Sequence, residues 1–157
     1  MGSFHRLGAY YSDAPCDDDA WREPTAMREC EGCSLCATIC PTGAIDPGRF
    51  LLRAERCITF WNEKPGDVAF PDWIESPWHR CLVGCMECQR ACPVNRDLLD
   101  PCDDGADFSE EETELLLRGV PQGELPAGLV EKLERCGMLG WLSILPRNLG
   151  ALLSGSV

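Results

Sequence analysis

The sequence predicts an α+β fold in three parts: a short N-terminal extended segment, a loop-rich centre and a small C-terminal helical cap. Three observations carry this prediction. The first is the run Cys30-x2-Cys33-x2-Cys36-x3-Cys40-Pro41. The second is Cys85-x2-Cys88-x3-Cys92-Pro93, which repeats the frame from Cys33 to Pro41 at a constant offset. The third is a change of character after Pro101, where turn-rich sequence gives way to amphipathic segments with helix-capping signals. The corresponding division is residues 1–28, 29–100 and 101–157.

The totals narrow the function classes. A chain of 157 residues suits one domain, or one domain with an appendage. Its 12 cysteines demand disulfides, zinc or iron–sulfur clusters. Met1 is followed by Gly-Ser-Phe-His-Arg rather than an apolar signal region, which argues against a secretory disulfide framework. No stretch reaches the ~18 to 20 uninterrupted apolar residues of a membrane span; Met138 to Leu153 is broken by Pro146, Arg147 and Asn148. A reducing cytoplasm is the expected location. The formal net charge of −12 leaves no basic patch for phosphates, so nucleic acid is not expected as a direct partner. Such a surface steers a basic redox partner, or a basic face of a larger enzyme, and otherwise serves solubility.

Taken in order, Gly2 to Ser12 carries Phe4, Leu7, Ala9, Tyr10 and Tyr11 and reads as a strand or extended segment. His5 has no partner nearby and reads as a surface or packing residue. Asp13 to Pro24 is acidic and proline-containing, a loop in which Cys16 stands as a free thiol. The linker Ile45 to Phe60 opens on the turn Asp46-Pro47-Gly48. Its Phe50, Leu51 and Leu52 are expected beside the site, and Cys57 follows within Arg56-Cys57-Ile58. Asn62 to Trp78 reads as an irregular excursion, with Trp61, Trp73 and Trp78 as solvent-excluding cover. Asn95 to Leu99 is expected to finish a helix containing Cys92, and Cys102 falls in a breaker, Pro101 to Asp107. Beyond it, Ser109 and Glu112 form a capping box with Phe108 as the staple, opening a helix that stops near Gly119 and Pro121. A second helix opens at Pro126 and closes at Gly137, with Leu129, Val130, Leu133 and Cys136 on one face. A third apolar segment, Leu139 to Leu153, ends the chain.

The first cysteine run has the spacing of a bacterial-type [4Fe–4S] ligand run, in which the last cysteine ligates the other cluster. Small residues in it (Gly32, Ser34, Ala37, Gly43, Ala44) let the backbone approach an inorganic core, and its N–H groups can donate to the sulfurs. Zinc ribbons also use many cysteines, but pair one Cys-x2-Cys with a distant second and do not call for a third cysteine plus Cys-Pro in both runs. The centre is therefore expected to be a bacterial-ferredoxin-like domain around two [4Fe–4S] clusters. One cluster takes Cys30, Cys33, Cys36 and Cys92; the other takes Cys40, Cys85, Cys88 and one more. A perfect repeat would supply that ligand at position 82, where Leu82 stands. Spacing leaves Cys81 and Cys57 as candidates and leans to Cys81.

Cys30 to Ile45, then Arg56-Cys57-Ile58-Thr59-Phe60, then Gly84 to Pro93 resemble the iron–sulfur half of epoxyqueuosine reductase, a cobalamin-dependent tRNA-modifying enzyme. That half is similar to the one in corrinoid reductive dehalogenases. Gly2 to Gly8, Ser109 to Glu112 and Arg147-Asn148-Leu149 resemble the segments flanking it. The resemblance implies that Cys57, in its Arg-Cys-Ile context, is the remaining ligand of the second cluster. It also implies the electron-delivery half of a corrinoid enzyme, since nothing in these residues matches the cobalamin-binding domain. The expected function is single-electron transfer from a ferredoxin or flavodoxin to an acceptor, possible acceptors including a corrinoid protein or domain. The alternative is one part of an oxidoreductase whose catalytic domain lies elsewhere. No residue is assigned as catalytic.

Overall fold

The computed structural model describes residues 10–15, 23, 25, 27–48, 52–99 and 105–155. Among them the regular structure is helical: α1 (Leu35–Ile39), α2 (Ile58–Asn62), α3 (Glu87–Ala91), α4 (Glu110–Leu117), α5 (Ala127–Arg135) and α6 (Leu145–Ser154), joined by short 3-10 turns. No strand occurs among the described residues, so the α+β expectation is corrected to an α fold. The physical reason lies in how the backbone donors are used. Around the cysteine runs they close turns and face sulfur, which leaves no row of N–H groups free for a ladder. The expected N-terminal strand falls mostly outside the described residues, and Tyr10 to Ser12 lie fully exposed without regular structure. His5, Cys16, Phe50, Leu51 and Cys102 also lie outside the described residues.

The helical cap follows its sequence signals closely. Glu112 N–H donates to Ser109 Oγ (3.3 Å) and Ser109 N–H donates to Glu112 Oε2 (2.8 Å), closing the capping box that starts α4. Both α4 and α5 end in Schellman turns. Val120 N–H reaches Leu115 O and Met138 N–H reaches Leu133 O, with Gly119 and Gly137 at positive φ supplying the left-handed residue. Leu116, Leu125, Leu129, Leu133 and Leu145 then meet in one buried cluster, against which Phe108 and Met138 pack. Lys132 joins Glu112 across α5 and α4 at 2.7 Å. The apolar C-terminal segment is a 3-10 turn, Leu139–Ile144, running into α6 with Pro146 in its first turn, where a missing N–H costs nothing.

The cap is docked on the centre. Leu82 packs against the cap's leucine cluster, and α6 lies against the turn Ser76–Trp78. No helix among the described residues is long and apolar enough to cross a membrane.

Candidate iron–sulfur site

The two cysteine runs fold alike. Gly32 and Gly84 occupy equivalent places and both turn left-handed, φ 71° and 74°. Starting three residues further on, α1 and α3 each span five residues, with Cys36 and Cys88 as the second residue of each. Each helix ends on a cysteine in extended conformation, Cys40 (ψ 112°) and Cys92 (ψ 120°). The following prolines explain this, since proline drives the residue before it out of the helical region. Cys92 therefore caps α3 and lies outside it, and Pro93–Leu98 forms a separate 3-10 stretch; the expected single helix through Cys92 is corrected. The carbonyl of each cysteine accepts a turn-closing bond, from Gly43 N–H (3.2 Å) and from Asn95 N–H (3.0 Å). Asn95, fully buried, also donates its side chain to Gln89 O at 2.8 Å.

α1 packs on α3, which brings the second run beside the end of the first. Cys40, Cys57, Cys85 and Cys88 line one apolar cavity there, with Ile58 and Leu52 among the remaining walls. Cys57 arrives from the linker as the residue that ends the turn Ala54–Arg56 and begins α2. Among the described residues no three His, Cys, Asp or Glu side chains gather closely enough to hold a single metal ion. The four thiols are spread around a cavity wall instead.

Electrostatics separate these thiols. Burial pushes Cys88 up to about 11, helped by its neighbours Cys57, Cys85, Cys40 and Cys36, each of which disfavours a further negative charge. Cys85 is likewise raised, mainly by burial, against a hydrogen bond from Glu87 N–H. Burial works the same way on Cys40, yet its pKa lies below the ordinary thiol value. There the Thr42 hydroxyl (3.6 Å) and the N–H groups of Thr42, Ala44 (3.3 Å) and Ile45 converge on its sulfur. Convergent donors of this kind stabilise a sulfur that carries negative charge, and a metal-bound thiolate carries one. Left-handed Met86, φ 66°, precedes Glu87 in the loop between Cys85 and Cys88, where a non-glycine residue in this conformation stores local strain.

The remaining cysteines divide plainly. Cys30 and Cys33 stand exposed on the turns before α1, while Cys36 in α1 and Cys92 at the end of α3 are half-buried. Cys81 does not line the cavity; its Sγ turns to the carbonyl of Cys85 at 3.5 Å. Leu82, standing where the repeat would carry a cysteine, is given to the cap: its side chain joins the leucine cluster and its carbonyl accepts from Asn148 Nδ2 at 2.6 Å. Cys136 faces the cap's own interior beside Leu133.

Of the expected cover, Leu52 borders the cavity, but none of the three tryptophans does. Trp61 and Trp73 pack edge to face at 6.5 Å on the outside, and Trp73 remains 40% exposed. Sequence reasoning missed Thr42, whose hydroxyl at the Cys40 sulfur carries no motif, and also Asn62, Arg147 and Asn148. The last two were singled out only by resemblance. Their role emerges from contacts across more than 60 residues of chain.

Residues 29–95 match the family model described as the 4Fe-4S double cluster binding domain. The chain carries a double [4Fe–4S] cluster domain. The chain is also similar to epoxyqueuosine reductases: 36% identical over 101 residues to that of Burkholderia pseudomallei (60% of this chain, 24% of the relative). It is 38% identical over 110 residues to that of Salmonella typhimurium (69% and 26%). To that of Escherichia coli it is 38% identical over 97 residues (60% and 24%). The chain thus spans about a quarter of the length of the curated relatives it matches. No solved structure matches it.

Proposed function

We propose that this chain is an electron-transfer module whose two clusters are held by Cys30, Cys33, Cys36 and Cys92, and by Cys40, Cys57, Cys85 and Cys88. The observation that carries the proposal is the cavity walled by Cys40, Cys57, Cys85 and Cys88, four thiols drawn from three separate stretches of sequence. Its apolar lining and the N–H donors around Cys40 suit a core of iron and sulfide, which supplies reversible one-electron storage when bound. The exclusion of Cys81 from the lining supports Cys57 as the fourth ligand.

On this reading a ferredoxin or flavodoxin supplies electrons in the cytoplasm, and a separate redox partner that need not carry a corrinoid receives them, nucleic acid taking no direct part. Holding eight thiolates and two oxidised cores would bring the net charge to about −16, which favours a docking partner with a basic face. A second reading, favoured by the similarity to epoxyqueuosine reductases, makes the chain one part of such an oxidoreductase, with the catalytic domain elsewhere in the protein or on another chain.

The test is anaerobic purification followed by iron and sulfide analysis and a dithionite titration. About eight iron and eight sulfide, taking up one electron per cluster and returning it to an added acceptor, is the expected result. Clusters that resist reduction would reduce the module to a structural one. A corrinoid that co-purifies would move the chain to the second reading.

A further inference from the structure

Three side chains outside every proposed ligand set, Asn62, Arg147 and Asn148, join in one hydrogen-bonded group. Asn62 and Asn148 are 0% and 1% exposed. Asn62 is the last residue of α2, the helix that begins immediately after Cys57. Its Nδ2 donates to Gly84 O (2.7 Å) and Cys81 O (3.4 Å), which closes the base of the excursion between α2 and the second cysteine run. Asn148, in the first turn of α6, donates to Asn62 O (2.9 Å) and Leu82 O (2.6 Å).

Arg147 completes the arrangement. Its guanidinium donates to the carbonyls of Trp61 (3.1 Å), Asn62 (2.9 Å), Pro65 (2.9 Å) and Val68 (2.7 Å), and to Asn148 Oδ1 (2.9 Å). It also lies over the ring of Phe70 at 4.5 Å. The last carbonyls of a short helix have no partners within it, and a cation there is favourable. For α2 both needs are met from α6. Cys57 at one end of α2 and Gly84-Cys85 in the facing loop are thus tied, through Asn62, to a single anchor on the cap.

We propose that Asn62, Arg147 and Asn148 are positioning residues that set the separation of Cys57 and Cys85 across the cavity, so that the helical cap selectively secures the second cluster. This rests on the reading that Cys57 and Cys85 are ligands. The repeat explains the need. With Leu82 committed to the cap, the fourth ligand comes from a linker with no covalent proximity to the run it serves. Some other device must then hold the two together.

The experiment compares wild type, Asn148→Leu, Arg147→Lys and Leu129→Ala, purified anaerobically. Iron and sulfide are counted, and iodoacetamide labelling of the loaded proteins is located by mass spectrometry. Wild type is expected to hold about eight iron with its ligand thiols protected. Asn148→Leu, which keeps side-chain size but loses both donors, should fall to about four, with Cys57 and Cys85 becoming labelled while Cys30, Cys33 and Cys36 stay protected. Arg147→Lys, which retains charge but not the spread of donors, should show the same labelling pattern at a fraction of the extent. Leu129→Ala weakens the cap's core while leaving the three residues intact, and should keep all eight iron. Asn148→Leu with eight iron and a protected Cys57 would overturn the proposal. So would loss of both clusters together, or equal loss in Leu129→Ala, because either marks a general folding role. Wild type with fewer than about eight iron would instead remove the ligand reading itself.

Discussion

The segments 30–45 and 82–97 differ less in backbone than in surroundings. Each has a left-handed glycine, a five-residue helix with a cysteine at its second position, and a Cys-Pro end in extended conformation. The first run, however, leaves Cys30 and Cys33 exposed, whereas the cysteines of the second are at least half-buried, with the cap behind them. Local sequence makes the cysteine loop; its enclosure is supplied by distant parts of the chain. Leu82, standing where a perfect repeat would carry a cysteine, is also the residue that fastens the second run to the cap.

The sharpest way to break this comparison is through the ligands. Cys57→Ser should halve the iron content, whereas Cys81→Ser should leave it unchanged, by iron analysis and electron paramagnetic resonance of the reduced proteins. The reverse pattern would return the fourth ligand to the residue that spacing favours. Adding Leu82→Cys to Cys57→Ser restores the repeat on paper. The lost iron should not return, because that side chain points into the leucine cluster.

Next in size is the cap. Leu129 is completely buried, so Leu129→Ala should cost about 2–5 kcal/mol in denaturant unfolding. The loss belongs to the cap transition and leaves the exposed first run untouched. Ser109→Ala, which opens the capping box, should cost about 1 kcal/mol on the same transition.

Two finer tests concern charge. Val94 occupies the place in the second run that Thr42 holds in the first. Thr42→Val therefore makes the halves alike and removes the hydroxyl at the Cys40 sulfur. One cluster's midpoint potential should fall, and the other should not move, in a spectroelectrochemical titration. His79 is buried against Phe70 (4.5 Å), and burial, with Arg147 nearby, lowers its pKa from the ordinary histidine value. A lowered folded-state pKa means that the unfolded chain takes up a proton first. Stability from neutral His79 is thus fully present above the unfolded pKa and is lost as pH falls through the folded one. His79→Leu should flatten the decline in unfolding midpoint between about pH 7 and pH 5. An unchanged slope would place the titration elsewhere.

The two cysteine loops were legible in the sequence because they are local. Spacing by two and three residues, a glycine at the turn and a proline after the last cysteine each act within a few residues, and their geometry follows from backbone sterics. The same holds for the capping box at Ser109 and the Schellman ends at Gly119 and Gly137. The fold class was not legible. Among the described residues the backbone donors around the cysteine runs close turns, and strand formation needs a partner that no local pattern guarantees. The helix expected through Cys92 failed for a local reason that the sequence did contain, the proline that follows it.

Sequence alone determined that this chain is built around two cysteine frames and closed by capped helices. Tertiary structure decided which thiols share a cavity. It placed Cys57 rather than Cys81 on that wall, turned Leu82 into the cap, and gathered Asn62, Arg147 and Asn148 around carbonyls at the end of α2, in the excursion after it and in the second cysteine loop. The physical reason is that short-range sterics act between neighbours in the chain. A cavity wall and a buried polar network are set by which segments pack together, and each of their members must find its partner at long range.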